Sequence, residues 1–200
     1  PFVRVDLADR ASIDSAVDEC GGRVDVLLSC AGVADGTPGI ERINFVGHRH
    51  MIDRMVEKNM LPRGSAICFI SSTAGIGWEG SLEELTQLLE IRDFDAAAKW
   101  FVDNNKTTYL WTKQAVGAYV AREALPLLRR GIRINAICPG PTDTPLAQAN
   151  RELWLDFGNG DGVVGGLPDL GYLVNRHTTV SPAFAHRWFA VAKPGSEHDV

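Results

Sequence analysis

The stretch YLWTK sets Tyr109 and Lys113 four residues apart. On a helix that spacing brings two side chains to the same face. A phenol exchanges protons poorly at neutral pH, because its ordinary pKa is about 10. A neighbouring ammonium favours the phenolate and lowers that value. A tyrosine tuned in this way can exchange a proton with an alcohol or carbonyl oxygen. The pair alone is a weak signal, since surface tyrosines and lysines often stand four apart.

Its surroundings strengthen it. FISSTAG closes an expected strand and puts Ser71 and Ser72 at the carboxyl edge of the sheet, where α/β proteins place their sites. Ser72 can offer a hydroxyl to a substrate oxygen. LLSCAG is a second strand running into small residues, which admit a ligand closely. INAICPGPTDTP ends a third with Pro139-Gly140 and a cluster of hydroxyl and carboxyl residues. Asn44 stands near the middle of an expected helix, an unfavourable place for asparagine unless its side chain has a task.

Four apolar runs are expected to be the strands that hold these residues: FVRVDL, RVDVLLSCAGV, GSAICFISS and GIRINAICPG. Near-continuous apolar runs suit strands covered on both faces. Helix-like segments separate them. Residues 9–20 form one, and residues 41–60 another, with Ile43, Val46, His50, Met51 and Val56 at helical intervals. Residues 106–125 form a third, with Pro126 placed to kink or stop it. Alternating strands and helices imply a parallel α/β sheet with right-handed crossovers. Residues 78–105 interrupt the rhythm as an inserted helical pair. Leu82, Leu85, Leu88 and Leu89 make one apolar stripe, and Phe94, Ala97, Ala98 and Phe101 a second. Residues 151–200 are rich in loop signals.

Composition excludes several classes. Two hundred residues, 45% of them hydrophobic, suit one soluble domain. A net charge of −5 argues against general attraction to nucleic acid or anionic lipid. No apolar run approaches the ~20 residues of a membrane helix. The N-terminus has no signal-peptide pattern, and the lack of an initiator Met suggests a cut end. Cys20, Cys30, Cys68 and Cys138 show no CxxC spacing, so reduced thiols and a cytoplasmic location are expected. The last three sit in apolar runs, as buried small hydrophobes would. GDGVVG satisfies G-x-G-x-x-G literally but lacks a preceding strand and a following helix. DFGNGDG lacks the ligands of a calcium loop. His48 and His50 have no evident metal partner, so no metal is expected.

The ordered set resembles the short-chain dehydrogenase/reductase family. The matching pieces are Asp6-Leu7, Cys30-Ala31-Gly32, Asn44 in Asn-x-x-Gly, Ile70-Ser71-Ser72, Tyr109-x-x-x-Lys113, and Pro139-Gly140 with Thr142 and Thr144. The resemblance implies an α/β fold: an incomplete Rossmann-like, doubly wound parallel sheet with a helical insertion. A partial catalytic domain would span 1–150, and 151–200 would supply a substrate lid and a divergent tail. It implies that Tyr109 is the acid/base and that Lys113 lowers its pKa and holds the nicotinamide ribose. Ser72, the serine followed by x-x-Gly, would bind the substrate oxygen, and Asn44 would complete a proton relay through water. Asp6 and Leu7 would meet the adenine, Ala31 and Gly32 would lie along the adenosine, and Pro139, Gly140, Thr142 and Thr144 would contact the nicotinamide end.

The implied activity is hydride transfer between NAD or NADP, with NAD favoured, and an alcohol or carbonyl substrate. The long gap from Ser72 to Tyr109 resembles the 3α-hydroxysteroid dehydrogenase/carbonyl reductase and coniferyl-alcohol dehydrogenase subgroup. That suggests an aromatic alcohol or a hydroxysteroid, and a homo-oligomer. The alternatives are an inactive fragment serving as an association module, and an epimerase or dehydratase on the same scaffold. The chain departs from the family in starting at what would be its third strand, without the glycine-rich pyrophosphate loop. Made alone, it is expected to be less stable than a complete member, with an unpaired apolar edge at RVDVLLSC, and to bind dinucleotide poorly.

Overall fold

The computed structural model describes residues 2–139 and 144–150 and the backbone of 172–174. Three strands run parallel in spatial order: β1 (Val26–Ser29), β2 (Ala66–Ile70) and β3 (Arg133–Cys138). Leu28 lies beside Cys68, and Cys68 beside Asn135. A short β4 (Tyr172–Val174) adds an antiparallel partner to β3, so the described sheet is not wholly parallel. The rest of 151–200, including GDGVVG and the expected lid, lies outside the described residues.

The fourth expected strand, FVRVDL, does not join the sheet. A strand exists only through a neighbour's backbone groups, and none is offered to this segment. It is tied instead to the next helix. Leu7 is buried, and its carbonyl packs on Gly47 so closely that a Cβ there would come within 2.3 Å of it. The Asp6 N–H donates to Ser12 Oγ at 2.9 Å. Asp9 then caps α1 (Arg10–Cys20) by accepting from the Ala11 N–H at 2.9 Å.

Among the described residues, coverage of the sheet is one-sided. Along β2, Ile67 and Phe69 are buried while Ala66, Cys68 and Ile70 are only half-buried. Side chains alternate across a strand, so the second set shares the other face. On β1 that face carries Val26 and Leu28, 58% and 63% exposed. Among the described residues, then, only one face of these strands is covered.

The packed face is helical. A π-helical turn (Arg42–Val46) leads into α2 (Gly47–Glu57). Of the expected stripe, Val46 is buried in the core while Ile43, His50, Met51 and Val56 are half-buried; a π turn holds extra residues and rotates the helix beyond it. Phe45, Ile52 and Met55 join Val46 in the core. The insertion forms a 3-10 turn (Trp78–Ser81), α3 (Leu82–Glu90) and α4 (Phe94–Asp103). All four residues of its second stripe are buried; in the first, Leu82 is exposed. Phe101, Phe45, Tyr119 and Phe69 then meet edge to face in sequence at 5.9–6.2 Å, joining the insertion through α5 to the sheet.

That long helix, α5 (Tyr109–Arg129), lies on the packed face through Ala115, Val116, Tyr119 and Val120. It does not stop at Pro126. Pro126 removes one hydrogen-bond donor to the preceding turn, but buried Leu127 keeps the final turn on the core. A Cβ at Gly117 would come within 2.7 Å of the Trp78 ring, so glycine lets the insertion seat directly on α5. Among the described residues no helix is long and apolar enough to cross a membrane.

Candidate active site

Tyr109 opens α5, and two side chains fix that helix end. Thr108 Oγ1 accepts from the Trp111 N–H at 3.4 Å, and the Asp35 carboxylate accepts from the Tyr109 N–H itself. The first turn of a helix leaves N–H groups without helical partners, and these contacts satisfy two of them. Lys113, one turn later, is 4% exposed. Its Nζ donates to the Ile70 carbonyl at 2.8 Å and lies 5.4 Å from the Tyr109 ring centre.

Ser71 and Ser72 come directly after β2 and divide their tasks. Ser71 Oγ donates to the Lys113 carbonyl at 3.0 Å, binding strand end to helix. Ser72 Oγ accepts from the Ala74 N–H at 3.2 Å and also hydrogen-bonds the Tyr109 phenol. Gly75 makes the close approach possible, because a Cβ there would come within 2.7 Å of both the Lys113 carbonyl and Ser71 Oγ.

Asn44 lies on the π turn, under the loop after β1. Its Oδ1 accepts from the Val33 N–H at 2.8 Å, and its Nδ2 donates to the Val33 carbonyl at 3.1 Å and to Thr112 Oγ1 at 3.4 Å. His48 supports the same loop. Its Nε2–H donates to the Ala31 carbonyl at 2.9 Å, which fixes the tautomer, and burial lowers its pKa. A Cβ on Gly32 would sit 3.4 Å from Asn44 Oδ1 and 3.8 Å from Lys113 Nζ.

These pieces surround a cavity of about 280 Å³, lined by Cys30, Gly32, Ser72, Tyr109, Lys113, Pro139, Thr144 and Asn150 among others. Ser72, Tyr109, Lys113, Gly32, Pro139 and Thr144 are thus brought together, with Asn44 directly behind Gly32. Asp6 and Leu7 are not among the lining residues. Asp6 is exposed and accepts from the Ala8 N–H at 2.9 Å, while Leu7 belongs to the core. Ala31 holds the loop end through its carbonyl. Gly140 and Thr142 lie outside the described residues. Cys30, expected to be buried, is exposed, and Cys68 is half-buried; only Cys138 fits that expectation.

The electrostatics correct a simple expectation. Burial pushes the Tyr109 phenol above its ordinary value, and the Ser72 hydrogen bond pulls the other way. The ammonium faces the ring rather than dominating the phenol oxygen. Burial moves Lys113 itself, down to about 8. A larger cleft of about 680 Å³ between α1, α2 and the start of α4 is lined with charges that pair with one another: Asp14 Oδ1 lies 2.9 Å from both His50 Nε2 and Arg54 Nε. It holds none of the proton-transfer residues.

Sequence reasoning missed three participants. Asp35 and Asn150 lie outside every quoted motif and meet only in the fold, through the Asp35 N–H donating to Asn150 Oδ1 at 2.8 Å. His48 is visible in INFVGH, but its residue type and spacing raise only the question of metal binding. Among the described residues no group of three or more His, Cys, Asp or Glu is placed to hold a metal.

The chain is similar to several known proteins. The family model described as enoyl-(acyl carrier protein) reductase matches residues 93–155. Coniferyl-alcohol dehydrogenase of a Pseudomonas species (strain HR199) is 26% identical over 72% of this chain and 58% of its own. 3-alpha-Hydroxysteroid dehydrogenase/carbonyl reductase of Comamonas testosteroni is 25% identical over 81% of this chain and 65% of its own. The solved structure of 3-alpha-hydroxysteroid dehydrogenase from Pseudomonas sp. B-0831, complexed with NADH, superimposes with a TM-score of 0.60 at 26% identity, covering 73% of this chain and 61% of that one. The chain is similar to these members of the short-chain dehydrogenase/reductase family. It spans less than two-thirds of the length of each of these three relatives.

Proposed function

We propose that this chain carries the proton-transfer half of an NAD(P)-linked oxidoreductase that interconverts an alcohol and its carbonyl, with a ring-bearing substrate such as coniferyl alcohol or a hydroxysteroid. One observation carries the reading: the Tyr109 phenol, hydrogen-bonded to Ser72, shares a cavity with Lys113 and Gly32. The named substrates of the relatives, coniferyl alcohol and 3-hydroxysteroids, support the substrate class.

The residues present fit one end of a dinucleotide. An ammonium has three donors, and Lys113 uses one on Ile70, leaving donors for ribose hydroxyls. The missing side chain of Gly32 leaves room beside Lys113 and Asn44. Pro139 and Thr144 line the same cavity and would meet the nicotinamide. NAD is favoured by the NADH complex of the relative. When bound, the nicotinamide supplies or accepts the hydride. Asp6 would meet the adenine only across a surface to which the described residues contribute little.

In the reductive direction the raised pKa keeps Tyr109 protonated, so it can donate to the carbonyl oxygen while Ser72 holds that oxygen. Oxidation runs the same proton back to Tyr109. Asn44 holds the Val33 backbone, and the proton relay assigned to it belongs to the same proposal. The exposed Leu82 and Val102 on the insertion offer a surface for a second copy of the chain.

The test is NAD- and NADP-linked turnover of coniferyl alcohol and of a 3α-hydroxysteroid, read as nicotinamide absorbance. Turnover of at least one is expected, with Ser72→Ala lowering kcat/KM about 10²-fold and Ser71→Ala mainly lowering stability. Equal losses in activity for the two serines, or no turnover of any alcohol with either cofactor, would contradict the reading. The association-module alternative draws on exposed Val26 and Leu28, and it predicts no turnover but concentration-dependent self-association.

A further inference from the structure

Asn150, just after α6 (Pro145–Ala149), is 3% exposed and lines the cavity. Its two amide atoms are in different situations. The Asp35 N–H donates to Oδ1 at 2.8 Å, which fixes the orientation of the amide, because an N–H cannot donate to the NH2 end. Nδ2 is buried and has no hydrogen-bond partner among the described residues. Most buried polar atoms in folded proteins have a partner. Leaving a donor without one is costly. A hydroxyl-bearing cavity beside a fixed, unpartnered donor is how a site built for a second polar contact looks.

Resting on the reading above, we propose that Asn150 is a substrate-binding residue. Its Nδ2 donates to an acceptor oxygen on the substrate, remote from the carbon that exchanges hydride. The chemical class is an alcohol or carbonyl compound with a second, acceptor-bearing substituent such as an ether, hydroxyl or carboxylate oxygen. The arrangement confers specificity, because a site with a buried donor rejects analogues that lack the acceptor. The Asp35 contact has a second consequence. Asp35 holds Asn150 through its N–H and the start of α5 through its carboxylate, so the donor is referenced to Tyr109 by two hydrogen bonds.

The experiment compares benzyl alcohol with its 3- and 4-methoxy derivatives, whose ether oxygens only accept. Binding to the full chain is followed by NMR titration, with and without NAD, in wild type and Asn150→Leu. Asn150→Asp, which retains the Oδ acceptor for Asp35 but loses the donor, guards against a folding defect. Wild type is expected to bind at least one methoxy probe three- to tenfold more tightly than benzyl alcohol. Both variants should erase that preference and leave benzyl alcohol unchanged. Equal binding of all probes by wild type, no binding of any, or equal losses for every probe in Asn150→Asp would overturn the proposal. The reading beneath it fails separately, if Ser72→Ala leaves turnover intact.

Discussion

The two faces of the sheet differ in kind. On one, α2, α5 and the insertion bury Phe45, Phe69, Phe101 and Tyr119 in a continuous edge-to-face chain. On the other, Val26 and Leu28 stand open on a strand with a free edge. The residues proposed to transfer the proton belong to the first. Tyr109 and Lys113 ride on the helix at the centre of that core, and Ser72 is drawn to it through Gly75. The difference teaches that the proposed proton-transfer residues rest on the better-packed face of the described sheet.

Phe101→Ala tests the closed side most severely. A fully buried phenylalanine deleted from a packed core costs about 3–5 kcal/mol, visible as a large drop in the denaturant midpoint. A loss near 1 kcal/mol would mean that the insertion is only loosely attached.

Lys113 gives the next effect, and its sign is set by burial. Its folded pKa of about 8 lies below the ordinary 10.5. Between those values the unfolded chain binds more protons, so stability rises with pH there. Measured against Lys113→Met, wild type should gain roughly 3 kcal/mol as pH rises from 8 to 10.5. Parallel curves for the two proteins would mean that the ammonium is well solvated.

Asp93 caps α4 by accepting from the Ala96 N–H at 2.8 Å. Its replacement by alanine should cost ~1 kcal/mol, read by thermal melting. Leu28→Ser, on the open face, should cost under ~0.5 kcal/mol and reduce self-association measured by light scattering. A cost comparable to that of Phe101→Ala would erase the distinction between the two faces.

Much of this was legible in the sequence because the signals were local. Three of the four apolar runs are strands, since each has a neighbour to pair with. FVRVDL has the same composition and is not one, because pairing depends on partners that composition does not reveal. The stripe from Phe94 to Phe101 reads directly as a buried face, whereas of the stripe expected along 43–56 only Val46 is fully buried, the π turn there having no marker in residue type. YLWTK and FISSTAG pointed to residues that the fold does bring into one cavity, because helix spacing and strand ends are sequence properties. Asp35 and Asn150 were not legible: they lie far apart in the chain, and their roles arise only where the loop after β1 meets the end of α6. The expected depression of the Tyr109 pKa also failed, because burial depends on the whole core rather than on a residue four positions away.

The measurement that bears most directly on the account is Tyr109→Phe, which removes one oxygen and leaves the ring packed beside Lys113. With folding confirmed by an unchanged melting profile, nicotinamide-linked alcohol oxidation should fall by about 10²–10⁴-fold in kcat. Activity within a few-fold of wild type would show that the proton goes elsewhere and that the cavity around Ser72 and Lys113 is not the site of the reaction.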